Sequence, residues 1–105
     1  MLDNTIGAKI TLAEAEELTG SFQTNFPDEN MCYFVGATHV KDIIKQEGCI
    51  GIRVYKGLNK DTFKKTLVLI GVDQDGKDMT NGFIVDKIHS CPDNCPDPSA
   101  SLMAQ

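Results

Sequence analysis

Three side chains able to bind a metal or form a disulfide crowd the end of this chain. In "HSCPDNCPDP", His89 to Pro98, His89, Cys91 and Cys95 fall within seven positions. Zinc takes about four N or S ligands in a tetrahedron. These residues could supply three, and Cys32 or Cys49 could complete the set if the fold brings one near. Pro92 and Pro96 would stiffen the loop and lower the entropy lost on ordering it. The spacing departs from a zinc knuckle, which has two residues between its cysteines where this chain has three, and no second Cys pair is present. The same spacing departs from a thioredoxin-type redox motif, which also requires a βαβ setting. A local Cys91–Cys95 disulfide closes only a small loop. The plainest alternative is a proline-stiffened terminal segment whose cysteines do no chemistry.

Other chemical patterns are weaker. "DQDGKD" places Asp73, Asp75 and Asp78 around Gly76, but Gly71 and Gly82 stand where a calcium loop needs an acid and a glutamate. It reads instead as a hairpin turn, because Asp-Gly supplies the positive φ a tight reversal needs. Cys32 and His39 could form a nucleophile and base only if the fold joins them, and a buried structural Cys is far commoner. The glycines of "GCIGIRVYKG" carry neither a Walker lysine nor a dinucleotide fingerprint. With two His and no Trp, a thiol enzyme ranks third, behind a non-catalytic module and a zinc-binding protein.

Charge is segregated along the chain. The net value is −5 over 105 residues, composed of −5 for residues 1–30, +4 for 31–72 and −4 for 73–105. An acidic total disfavours general nucleic-acid binding. The basic middle is densest in "YKGLNKDTFKK", at Lys56, Lys60, Lys64 and Lys65. Such a run is commonly a solvated loop. Read functionally, it is a patch for an acidic protein partner or for an acidic surface of a second copy. A homodimer is consistent with a small open sheet, whose edge strand offers unpaired backbone groups.

Helices and strands must position these residues. Thr11 and Glu14 form a capping-box signature at the start of a helix ending near Phe26. Leu12, Ala15, Leu18, Phe22 and Phe26 recur on one face, and Gly20 is a weak point. "MCYFVGA" predicts a buried strand. "THVKDIIKQEG" predicts a helix capped by Thr38, striped by Val40, Ile43 and Ile44, and stopped by Gly48. "CIGIRVYKG" alternates as a half-exposed strand, and "TLVLIGV" predicts a central one. The loop between them is long and could hold a ragged helical turn. Gly82 to Ile88 would be the returning strand. The expected fold is α+β: a small antiparallel sheet of three to four strands with two helices packed on one face. The expected organisation is one domain over 1–90 and a Cys/Pro-rich tail over 91–105. No basic-then-apolar leader opens the chain and no run reaches the ~20 apolar residues of a membrane helix. The expectation is a cytoplasmic protein that engages no membrane, with cysteines mostly reduced.

"GIRVYKGLN", "LVLIGVDQDGKDM" and the closing "CPDNCPD" together resemble a group of short bacterial proteins most common among the Bacteroidetes. The likeness covers roughly residues 38–97. It implies a soluble bacterial protein in which the cysteine ending is a group feature. It implies no activity, cofactor or catalytic residue.

Overall fold

The first helix, α1 (Leu12–Asn25), begins where the sequence predicts. Thr11 Oγ1 accepts from the Glu14 N–H at 3.1 Å, and Glu14 Oε1 accepts from the Thr11 N–H at 3.1 Å. Both bonds satisfy donors that a helix start leaves unpaired. Gly20 does not break the helix, which runs 14 residues without interruption. In this computed structural model the described residues are 2–86, 88–91, 95–97 and 101–103. Much of the expected tail, Pro92 included, and Lys87 of the expected last strand lie outside them.

The remaining elements are β1 (Cys32–Phe34), α2 (Ala37–Ile44), β2 (Gly51–Leu58), β3 (Lys65–Val72), β4 (Ile84–Val85) and β5 (His89–Cys91). The class is α+β. The strands form a three-stranded sheet ordered β2-β3-β4 and a separate two-stranded sheet of β1 and β5. Two compact units result: Met1–Ile6 with Phe34–Ile88, and Gly7–Tyr33 with His89–Gln105.

In the first unit, β2 and β3 pair antiparallel from Gly51↔Val72 to Leu58↔Lys65, and β3 pairs β4 at Leu69↔Val85 and Ile70↔Ile84. The continuous apolar run is the central strand, as predicted, and Leu69, Ile70 and Val72 are buried. Helix α2 lies against β2 and β3, with Ile43 fully enclosed. Its N-cap is Gly36 rather than Thr38, with no side-chain bond to the cap. The helix thus starts two residues earlier than the threonine suggests. It ends at Ile44 with Lys45 as C-cap, and Gly48, at φ +85°, serves the following turn. The turn after β3 is built as Asp-Gly predicts. Gly76 has φ +78°, and Asp73 Oδ1 accepts from the Asp75 and Lys77 N–H groups at 2.9 and 3.0 Å.

In the second unit, Ala15 is the one member of the predicted apolar row that is half-buried, and Thr19, Gly20 and Gln23 are the other half-buried positions of α1. Thr19 Oγ1 and Gln23 Nε2 both donate to the Leu102 carbonyl at 3.3 Å. Leu18, Phe22 and Phe26 are 65%, 42% and 54% exposed, and the two phenyl rings stack on each other at 5.1 Å between centroids. β1 is shorter and more open than predicted, with Phe34 exposed. The Met31 N–H donates to the Cys91 carbonyl at 2.7 Å, holding the β5 end of the chain beside β1.

Candidate interaction surface

All four predicted lysines belong to one hairpin. Lys56 lies on β2 opposite Leu67, Lys65 opens β3 opposite Leu58, and Lys60 and Lys64 sit in the connection between the strands. The connection is a tight six-residue turn rather than a ragged helix. Asn59 builds it. Its N–H donates to the Lys64 carbonyl at 2.9 Å and its own carbonyl accepts from the Phe63 N–H at 2.7 Å. Its side-chain Oδ1 accepts from the Asp61 and Thr62 N–H groups at 3.0 and 3.2 Å. An Asn side chain that binds backbone donors two and three residues on makes an alternative to a helical turn.

That closure forces Phe63 to φ +57°, the one non-glycine residue in the left-handed region among those described. A bulky side chain there is uncommon, and the conformation costs about 1–2 kcal/mol. Phe63 recovers little of this by packing, since it is 76% exposed. Leu58, at the end of β2, is also exposed. The hairpin end therefore carries two exposed apolar side chains as well as Lys56, Lys60, Lys64 and Lys65, all at the surface.

The base of the hairpin is pinned by three polar groups that sequence reading missed. Arg53 and Tyr55, on the same face of β2, both reach Asp78, which bridges the far side of β3 at Val72. The Arg53 guanidinium also donates to the Gly76 carbonyl at 3.3 Å. The Tyr55 hydroxyl bond holds the Asp78 carboxyl below its usual range, with Arg53 adding to the effect and partial burial opposing it. The same bond to Asp78 raises Tyr55, and burial raises it further. The alternation that puts Arg53 and Tyr55 on one face was legible. Their partner was not, because it arrives across two strand pairings.

The sign of each shift sets a pH window. The Asp78 value lies below its unfolded value of about 3.9, so its contribution is present above that pH and fades as pH falls through the folded value. Tyr55 lies above about 10, so its contribution is present below that pH and is lost as pH rises through the folded value. Wild type is expected to be more stable than Asp78→Asn at neutral pH, with the gap narrowing between about pH 5 and pH 2. Urea midpoints at each pH measure this. A gap constant through the acid range would show that the ionised carboxylate does not hold the hairpin.

The terminal cluster has a different state from a metal site. Cys91 and Cys95 form a disulfide, and Cys91 is buried at the end of β5. His89 begins β5 and is exposed. Sulfurs joined to each other are not thiolates, so a zinc site of His89, Cys91 and Cys95 belongs to the reduced chain alone. Among the described residues no three His, Cys, Asp or Glu are grouped to hold a metal. Cys32 and Cys49 stand outside any disulfide. Cys49 belongs to the first unit, where its thiol donates to the Gly51 carbonyl at 3.2 Å. Cys32 is in the second unit and His39 in the first.

A groove of about 410 Å³ runs beside β2 at Leu2 to Ile6. Arg53 at its wall is directed to Asp78 and Gly76, and Asp3 is engaged by Thr5. Among the described residues no helix is long and apolar enough to cross a membrane. No family model, curated protein or solved structure matches this chain.

Proposed function

We propose that this chain is a non-catalytic protein-interaction module, and that the tip of the β2–β3 hairpin is its contact surface. The partner presents acidic groups around an apolar patch, either on another protein or on a second copy. The observation that carries the reading is Phe63. A phenyl ring held in a costly backbone conformation and left 76% exposed contributes nothing evident to folding, and strain of this kind gathers where a surface must be shaped for contact. Aromatic residues are enriched at protein interfaces, whereas charged groups are depleted from the interface core, which places the lysines at the rim. The surrounding lysines steer an acidic partner and set its orientation more than they set affinity. In a cytoplasmic setting Cys32 and Cys49 would stay thiols and the Cys91–Cys95 bond would be open to reduction.

Isothermal titration of the full chain with a synthetic Leu/Glu amphipathic peptide tests the reading. Binding is expected at low salt, weaker at about 1 M salt, where screening shortens to about 3 Å. Lys56→Glu/Lys60→Glu is expected to weaken it about tenfold or more, roughly 1.4 kcal/mol. Absence of binding, or binding indifferent to that double substitution, would overturn the assignment of the tip.

A further inference from the structure

The two edges of the three-stranded sheet differ. β4 is two residues long, whereas β2 runs for eight, Gly51 to Leu58, and pairs on one side only. The direction of its spare backbone groups follows from β3. The Met79 N–H donates to the Gly71 carbonyl at 2.8 Å, so Gly71 turns toward the β4 side. Successive residues of a strand turn their backbone groups to opposite sides, so Ile70 and Val72 turn toward β2. Their partners Arg53 and Gly51 turn back toward β3, and Ile52, Val54, Lys56 and Leu58 turn outward. Among the described residues nothing hydrogen-bonds to these outward groups. Such a row is a template for another strand. The groove at Leu2 to Ile6 leaves room beside Ile50 to Val54, and Val54, Tyr55 and Leu58 are 53%, 45% and 55% exposed. All of these residues belong to the first unit.

We infer that β2 pairs antiparallel with β2 of a second copy about a two-fold axis at Tyr55, joining the two three-stranded sheets edge to edge. The join uses backbone groups of β2 and needs neither Phe63 nor Lys60. The occupant follows from the symmetry of the outward row. Its four residues all find partners only when Ile52 meets Leu58 and Val54 meets Lys56, which centres the axis on Tyr55. Axes at Val54 or Lys56 leave outward residues unmatched, and an axis at Lys56 sets lysine against lysine. A two-fold makes each match twice. Exposed Leu58 then lies across from Ile52. Val54 lies across from Lys56, whose methylenes cover it while the ammonium stays in water. Tyr55 meets its twin at a non-hydrogen-bonded position, where Cα atoms approach to about 4.5 Å and aromatic pairs are stabilising. Each ring is already fixed by its hydroxyl bond to Asp78. Arg53 faces Gly57, so no charge directly opposes another across the join. A lysine on an edge commonly discourages pairing; this register sets it against valine.

Sedimentation equilibrium of the full chain, with two substitutions at Val54, tests this. Circular dichroism checks that both variants fold. The wild type is expected to dimerise below about 1 mM. Val54→Lys is expected to dimerise at least about tenfold more weakly, because each new lysine faces Lys56 of the other copy. Val54→Glu is expected to dimerise at least as well as wild type, because the same position now meets Lys56 with opposite charge. Amide hydrogen exchange of the wild type supplies a readout that needs no variant. The Ile52, Val54, Lys56 and Leu58 N–H groups are expected to exchange fast in dilute protein and to slow as concentration rises. A wild type monomeric up to about 1 mM, weakening by Val54→Glu equal to that by Val54→Lys, or outward amides indifferent to concentration would each overturn the pairing. Phe63→Gly is expected to leave dimerisation unchanged, so the tip reading and the edge pairing fail separately. A dimer that Phe63→Gly abolishes would move the contact to the tip and overturn the edge.

Discussion

Ile43→Ala is expected to destabilise the first unit by about 2–5 kcal/mol. Ile43 is the one fully enclosed side chain of α2, and it is what α2 brings to β3. The facing position on β3 is Gly71, where an added Cβ would lie 3.3 Å from Ile43 Cγ2 and 3.2 Å from Cys49 Sγ. The helix thus approaches the strand over a residue with no side chain, and Ile43 fills the space. Removing three carbons there leaves a cavity that neither backbone can close without moving. The rest of the buried apolar set in this unit is Leu69, Ile70 and Val72, so few other side chains can compensate. Against a typical total of about 5–15 kcal/mol, the loss is large. Urea unfolding followed by circular dichroism should show a lower midpoint with an unchanged slope. A midpoint shift worth less than about 1 kcal/mol would mean that α2 is not seated on the sheet through this residue.

Phe63→Gly is expected to do two opposite things. Glycine reaches φ near +57° without the steric cost that phenylalanine bears, although it loses more entropy on folding. The net gain in stability is about 0.5–1 kcal/mol, because the ring removed is mostly exposed and little packing is lost. Association, by contrast, should weaken by a factor of about 30, the effect of removing an aromatic anchor worth about 2 kcal/mol at an interface. The combination is diagnostic. A residue kept for folding would lose stability when replaced, and a residue of no consequence would change neither property. Only strain held for the sake of a contact gives a variant that is more stable and binds less well.

How much of this was legible in the sequence differs from element to element. The capping box of α1 and the Asp-Gly turn were legible because each is closed by side-chain and backbone groups a few residues apart. The alternation of β2 and the central place of β3 were legible from apolar periodicity. The role of the α1 row was not. Spacing shows that Leu18 and Phe22 share a face, but only the position of Leu102 reveals that the side chains holding it are Thr19 and Gln23 instead. The cap of α2 was misplaced because a threonine two residues inside the helix carries the stronger local signal than Gly36. Phe63 gave no sign, since left-handed turns announce themselves through Gly or Asn, and here Asn59 imposes the conformation from four residues away. The lysines were found as a cluster from sequence, because a β-hairpin folds neighbours in the chain into neighbours in space. The cysteine pair was legible as a set of alternatives, and the disulfide is one of them.

The most direct measurement is a pair of nitrogen–proton NMR titrations, wild type beside Phe63→Gly, with the acidic amphipathic peptide. The expected result is that wild-type amide shifts concentrate within Leu58–Lys65 and that the variant, folded by its own spectrum, shows them only at far higher peptide concentration. Equal responses from the two chains, or wild-type shifts centred away from the hairpin tip, would contradict the assignment of this surface.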